Sequence, residues 1–148
     1  MIVDANVLLY AVDPTTTFHA AARAWLEAAL SGPSRVGLPW ASLLAFQRIA
    51  THPRASDHPL SPTVAWACVT DWLAAAPAWI PEPGPGYPRL LGDLIAHGDL
   101  RGNLVSDAHL AALALENGVG VCSFDSDFAR FDALTWVRPG QVTSELGD

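Results

Sequence analysis

Short apolar runs alternate with stretches of helical periodicity along this chain, and that alternation constrains its fold more than any other feature. Residues 1–4, 36–38, 78–80, 119–123 and 134–137 are brief runs dominated by Val, Ile, Leu, Trp and Ala. A strand buried on both faces reads as such a continuous run, whereas a strand with one wet face alternates apolar and polar residues. Four or five strands of this kind, separated by helices, predict an α/β fold with a mainly parallel sheet covered on both faces, a three-layer α/β/α domain.

The helices follow from spacing and punctuation. Ala5–Val12 reads as a short helix stopped at Asp13-Pro14. Phe18 to Leu30 is amphipathic, with Phe18, Ala22, Trp25, Leu26 and Ala29 on one side, Arg23 and Glu27 facing away, and Ser31-Gly32-Pro33 as the stop. A helix is predicted from about Pro39 to Thr51, where a proline in the first turn removes an N–H that has no partner anyway. After the polar stretch HPRASDHPLSP, Ser61-Pro62 starts a helix over Thr63–Ala76. The segment PEPGPGYP is a loop too short to divide two cores, and Leu90–His97 is helical. Ser106 caps a helix that runs to Glu116 and stops at Asn117-Gly118. With 148 residues, a single domain is expected: a core over 1–138 and a polar tail over 139–148.

Composition narrows the function. A net charge of −7 argues against a protein that grips nucleic acid with a broad basic face, so any contact with nucleic acid must be local or metal-mediated. All eight basic side chains are Arg. Hydrophobic residues make up 51% of the chain, yet charged, Pro or Gly residues break each apolar stretch short of the ~20 residues of a membrane span. The start MIVDANVLLY has no basic n-region, which predicts no signal peptide and a cytoplasmic location. Cys68 and Cys122 lack partners at ligand spacing and read as buried thiols.

Three aspartates stand where chemistry is done in such folds. Asp4 closes the first apolar run, Asp125 closes the run 119–123, and ligands of open α/β sheets bind at the carboxyl ends of strands. Asp107 shares a helix face with Leu110, Ala111 and Ala114, so it points inward. Each also has a plain reading: Asp4 as the cap of a strand-to-helix turn, Asp107 as a first-turn acid complementing the helix dipole, Asp125 as a turn acid with Asp127 as competitor. Their convergence at one sheet edge is what points to chemistry. Two carboxylates about 4 Å apart repel by roughly 4 kcal/mol at an effective dielectric near 20, so a cluster persists only when protons or cations neutralise it. Oxygen-only ligands select hard ions, Mg²⁺ with Mn²⁺ as substitute, and such ions support phosphodiester hydrolysis.

The segments MIVDANVLLYA, LPWASLLAFQRIATHP and, most specifically, SDAHLAALALENGVGVCSFDSDFARF resemble the VapC-type toxins of the PIN-domain superfamily, over residues 1 to about 138. The resemblance implies a PIN-like parallel-sheet domain, a Mg²⁺-dependent endoribonuclease acting on structured RNA such as tRNA or ribosomal RNA, a homodimer, and a small VapB-type antitoxin as partner. It also implies that Asp4, Asp107 and Asp125 are catalytic metal ligands, with Asp4 and Asp107 the firmest. One departure stands out: where most PIN nucleases carry a Glu on the helix after the second strand, this chain has Ser42, in a WASLLAFQR segment similar to that of one branch of these toxins. A hydroxyl brings no charge, so one well-held ion is expected rather than two, any second being recruited by the RNA phosphate.

Several residues have supporting or incidental readings. Asn6 reads as an orienting amide or a local turn bond, Ser106 as a cap beside the site, and Asp127 as an acid behind Asp125. Arg48 reads as an exposed or interface charge, the five histidines as surface or capping groups, and Trp25, Trp66 and Trp72 as core, with any exposed tryptophans suited to an interface. Two rivals from other classes remain at this point. Ser42 would also suit a catalytically dead PIN fold kept as a binding module. Asp4 at a strand end would also suit an Asp-nucleophile phosphatase of the haloacid dehalogenase type, although that chemistry wants an acid where Asn6 stands.

Overall fold

β1 (Ile2–Val3) is the middle strand of a five-stranded sheet, and its two side chains already divide the interior. Successive residues of a strand point to opposite faces. Val3 joins one buried cluster with Val7, Leu8, Leu26, Leu43, Phe46 and Val69, while Ile2 joins another with Leu110, Leu113, Val121 and Phe128. The computed structural model describes residues 1–141. β1 pairs in parallel with β2 (Val36–Gly37) and β4 (Val121–Cys122), while β3 (Ala78–Trp79) flanks β2 and β5 (Trp136–Val137) flanks β4. The order is β3-β2-β1-β4-β5, and every pairing is parallel.

The face carrying Val3 is covered by α1 (Ala5–Val12), α2 (His19–Ser31), α3 (Trp40–Ala50) and α4 (Pro62–Ala74). The opposite face carries α5 (Tyr87–Gly98), α6 (Leu104–Glu116) and a 3-10 helix, Ser126–Arg130. From β1 the chain steps outward to β2 and β3, then crosses back to β4 and β5 on the other side. The direction of winding therefore reverses between β1 and β4, which places a crevice at their carboxyl ends.

The three-layer architecture and parallel sheet are as the alternation of runs predicts; the boundaries shift for local reasons. Every strand is two residues long, shorter than the apolar run that contains it. Asp4 caps α1, and Pro39, still extended, caps α3 instead of lying inside it. α4 begins at Pro62, with the Ser61 hydroxyl accepting from Val64 N–H at 3.2 Å, and ends before Ala75, whose backbone is extended two residues ahead of Pro77. α5 starts three residues before the expected Leu90, because Pro88 fits a first turn. α6 starts at Leu104 with Asn103 at its cap position, so Ser106 lies within the first turn and caps nothing.

The tryptophans split. Trp25 and Trp72 pack against the core, Trp72 edge-on to Phe46 at 4.8 Å, but Trp66 is 43% exposed and stacks on the equally open Trp40 at 6.4 Å. Position 66 follows Ala65 by one residue, about 100° off the buried Ala65–Val69 stripe. Cys122 is buried and Cys68 half-buried, both as free thiols. Among the described residues no helix is long and apolar enough to cross a membrane. Of the tail expected over 139–148, residues 142–148 lie outside the described residues.

Gly120 shows how tightly the strands are set. A Cβ there would meet the Thr135 carbonyl at 2.6 Å and the Met1 sulfur at 2.9 Å. Gly120→Ala must push β4 away from the chain that leads into β5, and overpacking of this kind costs about 1–3 kcal/mol. Urea denaturation should show that loss, and an unchanged midpoint would contradict the packing.

Candidate active site

Asp4 stands where β1 turns into α1. Its backbone is extended, and its Oδ1 accepts from the Ala5 N–H at 2.8 Å, so the carboxylate caps the helix as the plain reading of this residue has it. The other oxygen faces β4: Oδ2 accepts from the Ser123 hydroxyl at 2.7 Å and from Asn6 Nδ2 at 3.3 Å. Ser123 is fully buried, and its Oγ in turn accepts from Asn6 Nδ2 and from the Asp125 N–H, both at 3.0 Å. Asn6 Oδ1 accepts from the Phe124 N–H at 3.2 Å. Asn6 is thus used on both amide atoms, linking the end of β1 to the chain after β4.

Asp125 turns the chain out of β4. Its Oδ1 accepts from the Asp127 N–H at 2.8 Å, which caps the 3-10 helix and brings Asp127 back toward it. Asp107 arrives from the other side, in the first turn of α6. One carboxylate oxygen from each of Asp107, Asp125 and Asp127 lies within 4.8 Å of the others. Asp127 therefore belongs to this triplet as fully as Asp125 does. Asp4 lies outside it, yet its charge still acts on Asp107.

The electrostatics are those of an under-neutralised cluster. Burial, followed by the charges of Asp125, Asp4 and Asp127, pushes the Asp107 carboxyl up to about 6, while Arg130 alone pulls the other way. Arg130 is held at 3.4 Å from Asp127, on a side chain that is 38% exposed. Burial also raises Asp4, opposed by the hydrogen bonds from Ser123 and Ala5 and reinforced by Asp125. All the donors are oxygens, no thiolate stands among them, and Arg130 is the one cation that relieves Asp107. Such a set fits a hard divalent cation better than it fits any side-chain counter-ion present.

Two of the acids, Asp4 and Asp107, form the floor of a cleft of about 940 Å³. Ser42, on α3, lines it: the residue is 2% exposed and its Oγ has no hydrogen-bond partner among the described residues. Arg48 lines the same wall. Ser106 lines the cleft as an exposed hydroxyl. On the far wall the Tyr87 hydroxyl is hydrogen-bonded to His109 Nδ1, so His109 is a half-buried cleft residue and not a surface group.

Ser123 is the residue that sequence reasoning passed over. Its signal was a hydroxyl in the otherwise apolar end of a buried strand, two residues before Asp125. Tyr87 and His109 gave no such signal, since their pairing joins the start of α5 to the middle of α6, 22 residues on.

Asp107 makes the site costly to fold. A group whose folded value, about 6, exceeds its ordinary 3.8 contributes stability below about pH 4 and loses it as pH rises through 6. Asp107→Asn should therefore melt a few degrees above the parent protein at about pH 7.5 in EDTA, the difference shrinking toward about pH 4. A variant that melts lower at neutral pH would contradict the strain assigned to this carboxylate.

Residues 1–134 match the PIN domain family. Ribonuclease VapC37 of Mycobacterium tuberculosis is 46% identical over 138 residues, 93% of this chain and 96% of the relative. VapC ribonuclease Mb2897 of Mycobacterium bovis is 40% identical over 137 residues, 93% of each chain. Among solved structures, Mycobacterium tuberculosis VapC20, a sarcin-ricin loop cleaving toxin, superposes with a TM-score of 0.68 at 17% identity, covering 93% of this chain and 98% of its own. VapBC2 from Rickettsia felis, solved with a DNA fragment from its promoter, superposes with a TM-score of 0.65 at 15% identity, covering 93% and 97%. The solved structures speak for the fold alone.

Proposed function

The chain belongs to the PIN-domain family, among the VapC ribonucleases, and from that premise we propose that it is the toxin of a VapBC-type pair, an endoribonuclease that hydrolyses phosphodiesters of structured RNA, tRNA or ribosomal RNA. The observation that supports this most is the triplet Asp107, Asp125 and Asp127 with Asp4 beside it, relieved among the described residues by Arg130 alone, with Asp4 and Asp107 lining a cleft. Asp4, Asp107 and Asp125 would hold a Mg²⁺ or Mn²⁺ ion, with Asp127 completing the negative field. Such an ion, when bound, polarises a phosphoryl oxygen and lowers the pKa of water.

The protein's own contribution is positioning. Ser123 and the Ala5 N–H fix the Asp4 carboxylate, so it needs no reordering when substrate arrives. Asn6 ties that carboxylate to the chain carrying Asp125. With its carboxyl raised to about 6, Asp107 competes with a proton for an ion near and below that pH, so loading should weaken as pH falls through 6.

The partner reading follows the same line. A VapB-type antitoxin is the expected partner, supported by the VapC relatives and by the Rickettsia felis VapBC2 complex. A homodimer is supported by the exposed, stacked Trp40 and Trp66, since aromatic residues of this kind favour interfaces. A cytoplasmic location accords with an RNA substrate. Ser42 favours a second reading, a PIN fold that binds without cutting, because the wall has no fourth carboxylate at that place. The phosphatase reading has no such support: the position two after Asp4 is Asn6, already committed on both amide atoms.

Asp4→Asn and Asp107→Asn, each checked for folding by circular dichroism, should cleave RNA about 100-fold or more slowly, since such ions supply several kcal/mol to the reaction. EDTA should abolish cleavage by the parent protein and Mn²⁺ should restore it. A folded Asp107→Asn protein that cuts like the parent would overturn the assignment, and a parent protein that binds RNA without cutting it would favour the binding module.

A further inference from the structure

Two groups on opposite walls of the cleft have no part in the reading above. Arg48 stands on the α3 wall with its side chain exposed, and it forms no ion pair among the described residues. Arg23, Arg89, Arg101 and Arg130 each face a carboxylate. In a chain of net charge −7, an arginine left free beside a carboxylate-floored cleft is available for an incoming anion. Its planar fork matches phosphate oxygens bidentately.

Opposite it, His109 of α6 meets Tyr87 of α5 with ring centroids 5.6 Å apart and planes at 78°. The hydrogen bond between Tyr87 and His109 occupies Nδ1, which orients the imidazole and leaves Nε2 as its one uncommitted polar atom, a donor in the tautomer that accepts from the tyrosine hydroxyl. Both rings line the cleft, as does Asp107, two residues before His109. Between them the walls carry the exposed apolar Leu44 and Val105 and the neutral groups Gln47, Thr51 and Ser106, so Arg48 is the one cationic side chain of the lining among the described residues.

We propose that Arg48 and the Tyr87–His109 pair are positioning residues that hold the RNA backbone from the two walls of the cleft and so lay it across the acidic floor. The proposal rests on the RNA-cleaving reading of the same site. The floor by itself repels a polyanion, so the strand needs anchors displaced from the carboxylates. Arg48 provides a charged one, to a phosphate. His109 provides a neutral N–H, to a phosphate or ribose oxygen, and Tyr87 keeps it aimed.

The test is binding of a fluorescein-labelled RNA hairpin to the full-length protein and its variants, with Ca²⁺ in place of Mg²⁺, across a KCl series at about pH 8, where an ordinary imidazole is neutral. Arg48→Gln should weaken binding about fivefold to tenfold and flatten the plot of log K against log salt by about 0.7, the loss of one phosphate contact on single-stranded RNA. Arg48→Lys should keep the slope. His109→Leu and Tyr87→Phe should weaken binding several-fold with the slope unchanged, and His109→Gln, which keeps a side-chain N–H, should recover part of the loss. Thermal melts identify any variant that does not fold, and Arg48→Lys and His109→Gln then carry the comparison. If the parent protein binds the hairpin while Arg48→Gln keeps both affinity and slope, the proposal is overturned and the ribonuclease reading survives. If the parent protein neither binds nor cuts RNA, the ribonuclease reading fails first.

Discussion

The hydrogen bond from Ser123 to Asp4 is the contact on which the rest of the site depends. It joins residues 119 apart in sequence at the place where the parallel sheet changes its direction of winding. Through it the first strand of the chain is locked to β4, and the carboxylate at the end of β1 is held facing the acids that follow β4. Asn6 doubles the link by bonding Asp4, Ser123 and the Phe124 N–H. Both groups are deeply placed, so removing either partner would leave polar atoms buried and unpaired, which costs more than the bond itself contributes.

Around that link the molecule tolerates an arrangement that would be unfavourable elsewhere. Four carboxylates share one edge of the sheet with Arg130 as their relief, and the consequence appears as an Asp107 whose proton is held to about 6. Hydrophobic packing on both faces absorbs the cost. α6, which carries Asp107, buries Ala108 and all of Leu110–Ala114, so its first turn is held in place by the rest of the helix. A site of this kind exchanges stability for a standing demand for positive charge, and the exchange is reversed when a cation arrives.

Much of this was legible in the residues. Short apolar runs separated by amphipathic segments are enough to specify a parallel α/β/α arrangement, because strands buried on both faces leave no alternation to confuse with a sandwich. Asp4, Asp107 and Asp125 were legible for a related reason: each sits at an element end, where direction is set by the element and not by the loop. What escaped depends on how separate elements meet. The role of Ser123 exists only once β1 and β4 are neighbours, and the bond between Tyr87 and His109 only once α5 packs on α6. A turn in sequence does not reveal that Asp125 will cap the Asp127 N–H and draw both carboxylates toward Asp107, which puts Asp127 level with Asp125 and not behind it. The capping role of Ser106 and the core role of Trp66 failed for a simpler reason, since a helix that starts two residues early removes the cap while leaving Ser106 beside the site, and a side chain 100° from the buried stripe turns outward.

Ser42 sharpens the remaining question of how much charge the site can hold. Its buried hydroxyl adds no negative charge to the α3 wall, so the acids gather on the Asp107 side of the cleft. The account at its centre is that these carboxylates form one cation site. Calorimetric titration of the ion-free protein with Mn²⁺ at neutral pH measures that directly. One saturable site per chain, with an affinity that falls as pH is lowered through about 6, is the predicted result. No saturable heat, or two equivalent sites of equal affinity, would contradict it.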